Sequence, residues 1–155
     1  MDLVDRKIAG LLQKEARCSN AELAAATGLS ISAVSERARR MMAAGVVKAS
    51  RAILDPGAFG CPLCAFVFVD LAAGVDEGQF RSRLASMPEV QECHHVTGEH
   101  SYLLKVRVAG TAELQRLLVD GIKSHPGVAR TVSFISLDQV KETTEIDCGV
   151  PGDDR

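Results

Sequence analysis

The feature that most constrains this 155-residue chain is a diverged repeat in its second half. Phe80, Leu84, Met87, Pro88 and Val90 correspond to Leu118, Ile122, His125, Pro126 and Val128 at a constant offset of 38 positions. The same step carries Phe66 and Phe68 onto Leu104 and Val106. Each half therefore reads as strand–helix–strand. Two such units give βαββαβ, an α+β ferredoxin-like sandwich with its helices on one sheet face. The expected strands are Leu63–Leu71, Val90–Thr97, Tyr102–Ala109 and Ala129–Val140. The expected helices are Val75–Met87 and Thr111–Ser124.

Strand alternation sends Phe66 and Phe68 one way and Val67 and Val69 the other. Both faces of the first strand are thus apolar, and helices on one side cover only one. A second copy of the same sheet is the simplest cover for the other, so a homodimer is expected. An aspartate at Val67 or Val69 should weaken that dimer or unfold the domain.

The first third follows a different period. Leu3, Val4, Ile8, Leu11 and Leu12 recur at helical spacing. Ser19-Asn20-Ala21-Glu22 is a capping box, and Gly28 stops the short second helix it opens. Ser30 caps a third helix through Ala44, which Gly45 ends. Ala24 permits close helix approach, Gly28 makes a sharp turn, and Val34 buries a branched side chain between the helices. This order is that of a DNA-binding helix-turn-helix of the winged type. On the third helix Ile31, Val34, Ala38 and Met41 form the inner stripe. Ser30 opens the outer face, where Ser32, Ala33, Ser35 and Glu36 are positioned to read base edges. Arg39 and Arg40 suit phosphates. Arg37 lies beside the inner stripe, where a pair with the module's own body and a DNA contact are equally open readings.

Charge divides along the same line. Residues 1–51 carry nine basic and five acidic side chains within a chain of net charge −2, so a basic first third precedes an acidic remainder. Two modules with different partners are implied. The connection from Val46 to Leu54 is rich in β-formers and reads as an extended arm, ended by Asp55-Pro56-Gly57. The expected divisions are a DNA-binding domain with its arm over 1–54, a linker over 55–60, the second domain over 61–146 and a tail over 147–155.

With these parts placed, the sequence resembles the Lrp/AsnC family, the feast/famine regulators of bacteria and archaea. The matching residues include Asp5-Arg6-Lys7-Ile8, Ser19-Asn20-Ala21-Glu22-Leu23-Ala24, Gly28-Leu29-Ser30, Leu54-Asp55-Pro56, Pro88-Glu89-Val90, Val96-Thr97-Gly98, Tyr102-Leu103-Leu104-Lys105-Val106, Pro126-Gly127-Val128 and Val140-Lys141-Glu142-Thr143-Thr144. The resemblance implies a transcription regulator whose helix-turn-helix binds double-stranded DNA. Its second domain would dimerise, assemble further into octamer-like rings and sense a small-molecule effector, usually an amino acid. The resemblance puts that effector between dimers, at the turn Gly98, Glu99, His100, Ser101 and Tyr102. Further lining would come from Thr131, Ser133 and Ile135. The family commonly has Asp where Ser101 stands. An acidic group there suits an ammonium, whereas serine offers a neutral hydrogen bond and leaves Glu99 as the compensating charge. Gly98 has a plainer reading as well, a tight hairpin.

Other chemistry is thinly represented. Cys61-Pro62-Leu63-Cys64 has no second CxxC partner, and in the cluster of Cys93, His94, His95 and His100 the adjacent His94 and His95 alternate faces beside a turn that needs polar residues anyway, so no metal site and no cofactor are expected. Nothing pairs a nucleophile with an oriented base, and no glycine run has phosphate-loop spacing, so no catalytic residues are expected. A DNA-tethered enzyme domain and an architectural DNA-binding protein without effector remain the alternatives. The apolar run near Cys61–Val69 is too short for a membrane span. Five scattered cysteines and an amino terminus reading MDLVDRK, without the apolar core of a secretory signal, suggest a reducing cytoplasm.

Overall fold

A computed structural model describes residues 1–150. The chain forms two compact units, Met1–Ile53 together with the chain from Lys141, and Leu54–Val140. The return of residues 141–146 to the first unit departs from the expected divisions, which kept them with the second. Residues 151–155 of the expected tail lie outside the described residues.

The first unit contains α1 (Leu3–Lys14), α2 (Asn20–Thr27) and α3 (Ile31–Ala43). Each start is capped as its sequence dictates. Asp2 and Asp5 form one capping box, Ser19 and Glu22 another, and the Ser30 hydroxyl accepts from the Ala33 amide. Gly28 ends α2 with φ +72°, in the left-handed region that glycine occupies without steric cost. Ile8, Leu23, Ala24, Val34 and Met41 make the core. Of the expected inner stripe on α3, Val34 and Met41 are buried, Ala38 is half-buried and Ile31 is exposed. Ile31 is the first helical residue, one turn short of the core. Residues 46–54 contain no helix or strand.

The second unit is a four-stranded antiparallel sheet. Its strands are β1 (Leu63–Leu71), β2 (Val90–His95), β3 (Tyr102–Val108) and β4 (Val128–Ile135), in the order β2-β3-β1-β4. This is the order a ferredoxin-like βαββαβ chain produces. Helix α4 (Glu77–Ala85) is shorter than expected because the Asp76 carboxylate caps it, accepting from the Gly78 and Gln79 amides. Strand β4 ends five residues before the expected Val140. Its last ladder bond runs from the Ser136 amide to the Cys64 carbonyl, and β1 begins one residue earlier, just after Pro62. Proline has no amide to extend the pairing.

Helix α5 (Thr111–Arg116) continues as a π-helical turn over Leu117–Ile122. The reason is visible in burial. Leu117 and Ile122 are five residues apart and both buried, and a five-residue repeat keeps them on one face where an α-helix would turn the second away.

Residues paired directly across antiparallel strands share a face. Val67 opposes Leu104 and Ser133, while Phe66 opposes Lys105 and Phe134. Ala65, Val67, Val69, Tyr102, Leu104 and Val106 are buried together with Phe80, Leu84, Leu114 and Ile122 of the helices. Val67 and Val69 therefore belong to the core beneath the helices. The open face is that of Phe66, Phe68 and Phe134, so of the two outcomes expected for an aspartate at either valine, unfolding of the domain fits their burial and a weakened dimer contact does not.

Candidate nucleic-acid interface and ligand-binding surface

The expected nucleic-acid face is the outer side of α3. Ser32, Ser35, Glu36, Arg39 and Arg40 are exposed along it, and Ala33 is half-buried. Ser30 is occupied as the cap, and its hydroxyl lies 3.1 Å from that of Ser32. Arg39 is held by Glu36 through contacts of 2.7 to 3.1 Å, so the expected phosphate ligand and the expected base reader neutralise one another in the free protein.

Arg37 takes the structural reading. Its Nη1 donates to Asp2 Oδ2 and to Asp5 Oδ1, both at 2.7 Å. Arg40 reaches Asp5 at 3.3 Å but keeps most of its side chain in solvent. Asp5 is nearly buried, and the Arg37 hydrogen bond, the largest influence, holds its carboxyl below the ordinary aspartate range against desolvation. Asp2 is lowered too, first by the Asp5 amide and then by Arg37. The first turn of α1 thus fixes α3 through a carboxylate–guanidinium cluster, leaving the outer face of α3 free.

The expected ligand surface is divided by the pleat. Gly98 sits in the β2–β3 turn at φ +114°, and a Cβ there would meet nothing within 4 Å. Conformation rather than crowding requires the glycine, as in the tight-hairpin reading. Glu99 is exposed, with its carboxylate 3.8 Å from Arg130 Nη1. His100 packs its ring on Phe68 with centroids 4.6 Å apart, and its Nδ1 lies 2.9 Å from Asp70 Oδ1. The Ser101 hydroxyl accepts from the Leu71 amide at 3.4 Å, and the Ser101 amide donates to the Val69 carbonyl. These groups gather at one end of the sheet.

Tyr102 lies on the other face. Its ring is buried against Phe80, and its hydroxyl accepts from Arg81 Nε at 2.6 Å and donates to Glu77 at 2.7 Å. Desolvation, then Glu77, raises its phenol. Thr131, Ser133 and Ile135 pair with Val69, Val67 and Ala65, so they too lie on the helix side. The structure therefore assembles Glu99 and His100 with Asp70, Arg130 and Phe68, and separates them from Tyr102, Thr131, Ser133 and Ile135. Asp70 and Arg130 were missed in the sequence, and Phe68 was read there only as apolar surface. The β1–β4 register pairs Asp70 with Arg130, and the His100 ring contact marks Phe68.

The cysteines and histidines disperse. His94 bonds Glu92, and His95 stacks on Tyr102. Among the described residues no three His, Cys, Asp or Glu side chains are grouped to hold a metal ion, and no helix is long and apolar enough to cross a membrane.

Two family models match this chain. Residues 64–146 match the Lrp/AsnC ligand binding domain, and residues 1–48 match a winged helix-turn-helix DNA-binding domain. The chain belongs to the Lrp/AsnC family. It is 36% identical over 145 residues to the leucine-responsive regulatory protein of Haemophilus influenzae, spanning 92% of this chain and 87% of the relative. It is 38% identical over 146 residues to the HTH-type transcriptional regulator FL11 of Pyrococcus horikoshii, spanning 94% and 95%. A crystal structure of a Neisseria meningitidis transcriptional regulator in complex with L-Met superposes with a TM-score of 0.89 at 31% identity, covering 94% of this chain and 96% of that one. This Lrp/AsnC protein is accordingly a DNA-binding transcription regulator with a ligand-binding domain.

Proposed function

We propose that this regulator works as a homodimer closed on the open face of its sheet, reads paired half-sites on DNA and responds to an amino acid bound at the hairpin end of that sheet. The observation that carries the effector reading is the cluster of Glu99, His100, Asp70 and Arg130 beside Phe68. It offers both signs of charge next to an aromatic surface. Arg130 suits a carboxylate, Glu99 and Asp70 suit an ammonium, and Phe68 suits an apolar side chain. The L-Met complex of the Neisseria meningitidis relative supports the ligand class.

The dimer reading rests on Phe66 and Phe134, which are 38% and 56% exposed on a face that no helix of the unit covers. Facing a second copy would remove this apolar surface from water and pair two α3 helices about a twofold axis. Further assembly of dimers into a ring such as an octamer would bring hairpin ends together, and a ligand shared there would favour the assembly that completes its pocket. On DNA, Ser32, Ala33, Ser35 and Glu36 read bases, while Arg39 and Arg40 hold phosphates.

Thermal-shift screening against the twenty amino acids tests the effector, because a ligand bound only to the native state raises its melting point. Calorimetry then compares any hit on the wild type with Arg130→Ala, Glu99→Gln and Ser101→Ala. The first two should weaken binding about tenfold or more if each loses a charge-assisted hydrogen bond. Unchanged affinity in both puts the ligand elsewhere. A screen in which no amino acid shifts the melting point or DNA binding favours the effector-independent architectural role.

A further inference from the structure

We propose that residues 141–150 form a strap that fits a surface on α1 made by Arg6, Gly10 and Gln13, and that this strap is a second tie between the sheet unit and the DNA-binding helices. The chain leaves the helical unit once after Ile53 and returns to it once at Lys141. A domain on a single linker swings about one connection, whereas two connections restrict it.

The strap is held at specific points. The Gln13 side-chain amide engages the backbone of Ile146 in both directions. Its Nε2 donates to the Ile146 carbonyl at 2.7 Å, and its Oε1 accepts from the Ile146 amide at 3.2 Å. A side chain that satisfies both polar groups of one residue fixes the register of the segment against α1. Two turns nearer the amino terminus, Arg6 Nη1 donates to the Cys148 carbonyl at 2.9 Å. Between them stands Gly10, buried although it lies mid-helix. Glycine is a poor helix residue. A Cβ on Gly10 would lie 3.8 Å from Cys148 Sγ, in ordinary contact, so the strap packs directly on this position and a side chain longer than alanine would enter the space that Cys148 fills.

The strap also has local structure of its own. The Glu145 amide donates to Thr143 Oγ1 and the Gly149 amide to Asp147 Oδ1. Gly149 turns the chain at φ +64°, and a Cβ there would lie 2.8 Å from Arg6 Nη1.

The consequence for DNA rests on the dimeric reading proposed above. Two helical units, each tied twice, present their α3 helices over a narrow range of separations. Narrowing that range raises the effective concentration of the second α3 at a correctly spaced second half-site.

The test uses the full-length chain and an Arg6→Ala/Gln13→Ala variant, with Gly10→Leu as a second, steric variant. Docking is read by alkylation of Cys148, followed peptide by peptide in a mass spectrometer. Cys148 should react at least about fivefold faster in the double variant, as expected when a locally ordered segment opens more often. Equal rates in a folded double variant overturn the strap. Coupling is read by affinity for one half-site and for two half-sites at varied spacing. The double variant should bind one half-site within about twofold of the wild type and lose about tenfold on the preferred pair, with a flatter spacing profile. Faster alkylation with an unchanged spacing profile overturns the tie. A wild type that gains nothing from a second half-site instead overturns the dimeric reading, and the alkylation result still decides whether the strap docks.

Discussion

The two units hold themselves together differently. The sheet unit buries twelve residues of one core between helices and strands, from Ala65 and Val67 to Leu117 and Ile122. The helical unit has a core of five, Ile8, Leu23, Ala24, Val34 and Met41, and adds the Asp2–Asp5–Arg37–Arg40 cluster between α1 and α3. A small core leaves helix orientation underdetermined. Here a nearly buried carboxylate supplies what extra apolar layers supply in the sheet unit. The sheet unit should therefore fail through packing, and the helical unit through charge.

The largest expected effect separates the two faces of the sheet. Val67→Asp places an unpaired charge in the core of the sheet unit and should cost more than about 4 kcal/mol, enough to unfold most domains of this size. Phe134→Asp puts the same charge on the open face. It should leave the unit folded by circular dichroism and convert the proposed dimer to monomer by sedimentation. A Phe134→Asp protein that stays dimeric at micromolar concentration would sink the open-face interface.

Next in size is the charge cluster. Asp5→Asn keeps an acceptor oxygen for Arg37 but removes the buried negative charge that the guanidinium faces, and should destabilise the helical unit by about 1 kcal/mol or more, the scale by which a hydrogen bond to a charged group exceeds a neutral one. Acid should do the same to the wild type. The folded carboxyl of Asp5 lies below the ordinary aspartate value. Its contribution is therefore complete above that value, about pH 4, and is lost as the pH falls through the lower, folded value. Glu77 and Glu92 of the sheet unit are also lowered, first by the Tyr102 hydroxyl and by His94 respectively, but about half of each side chain is exposed and solvent screens the effect. On acidification, amide resonances of Ile8 and Val34 should collapse before those of Val67 and Leu104. Simultaneous loss would show that Asp5 does not set the order.

Local rules carried most of the helical unit. Ser19 with Glu22 and the stop at Gly28 each depend on residues at most a few positions away, and the burial of Val34 follows from helical periodicity, so all three are legible in sequence. The βαββαβ order was equally legible, because a repeat records topology without needing contacts. The proposed ligand surface was not. Tyr102 follows Ser101 directly, yet the pleat turns it to the helix face while His100 packs on Phe68. Asp70 and Arg130 are sixty positions apart in sequence and meet only through the β1–β4 register, which shifts between Asp70 and Leu71. The strap was hidden for the same reason, since nothing local to Gly10 announces Cys148.

On the nucleic-acid face, removing both Arg39 and Arg40 should weaken binding to every sequence and reduce the salt slope by about one unit for each phosphate no longer neutralised. Arg40 is the outer member of the Asp5 cluster and can turn to a phosphate, because its bonds to Asp5 are long and most of its side chain is exposed. A double variant with wild-type affinity at every salt concentration would move the docking surface off this face.

The smallest expected effect is at Glu36. Its ion pair with Arg39 is exposed on both sides and spans one helical turn, so Glu36→Gln should change stability by less than about 0.5 kcal/mol. Its effect on DNA has a sign that distinguishes two roles. If Glu36 chiefly restrains Arg39, the variant frees a guanidinium for phosphate and binds all sequences about threefold tighter at low salt, with the gain fading as salt is added. If Glu36 accepts a hydrogen bond from a cytosine amino group, the variant loses affinity only for sites carrying that base. Binding across a randomised half-site, measured at two salt concentrations, separates the two. A uniform loss on every sequence would fit neither role and would mean that α3 approaches DNA by another edge.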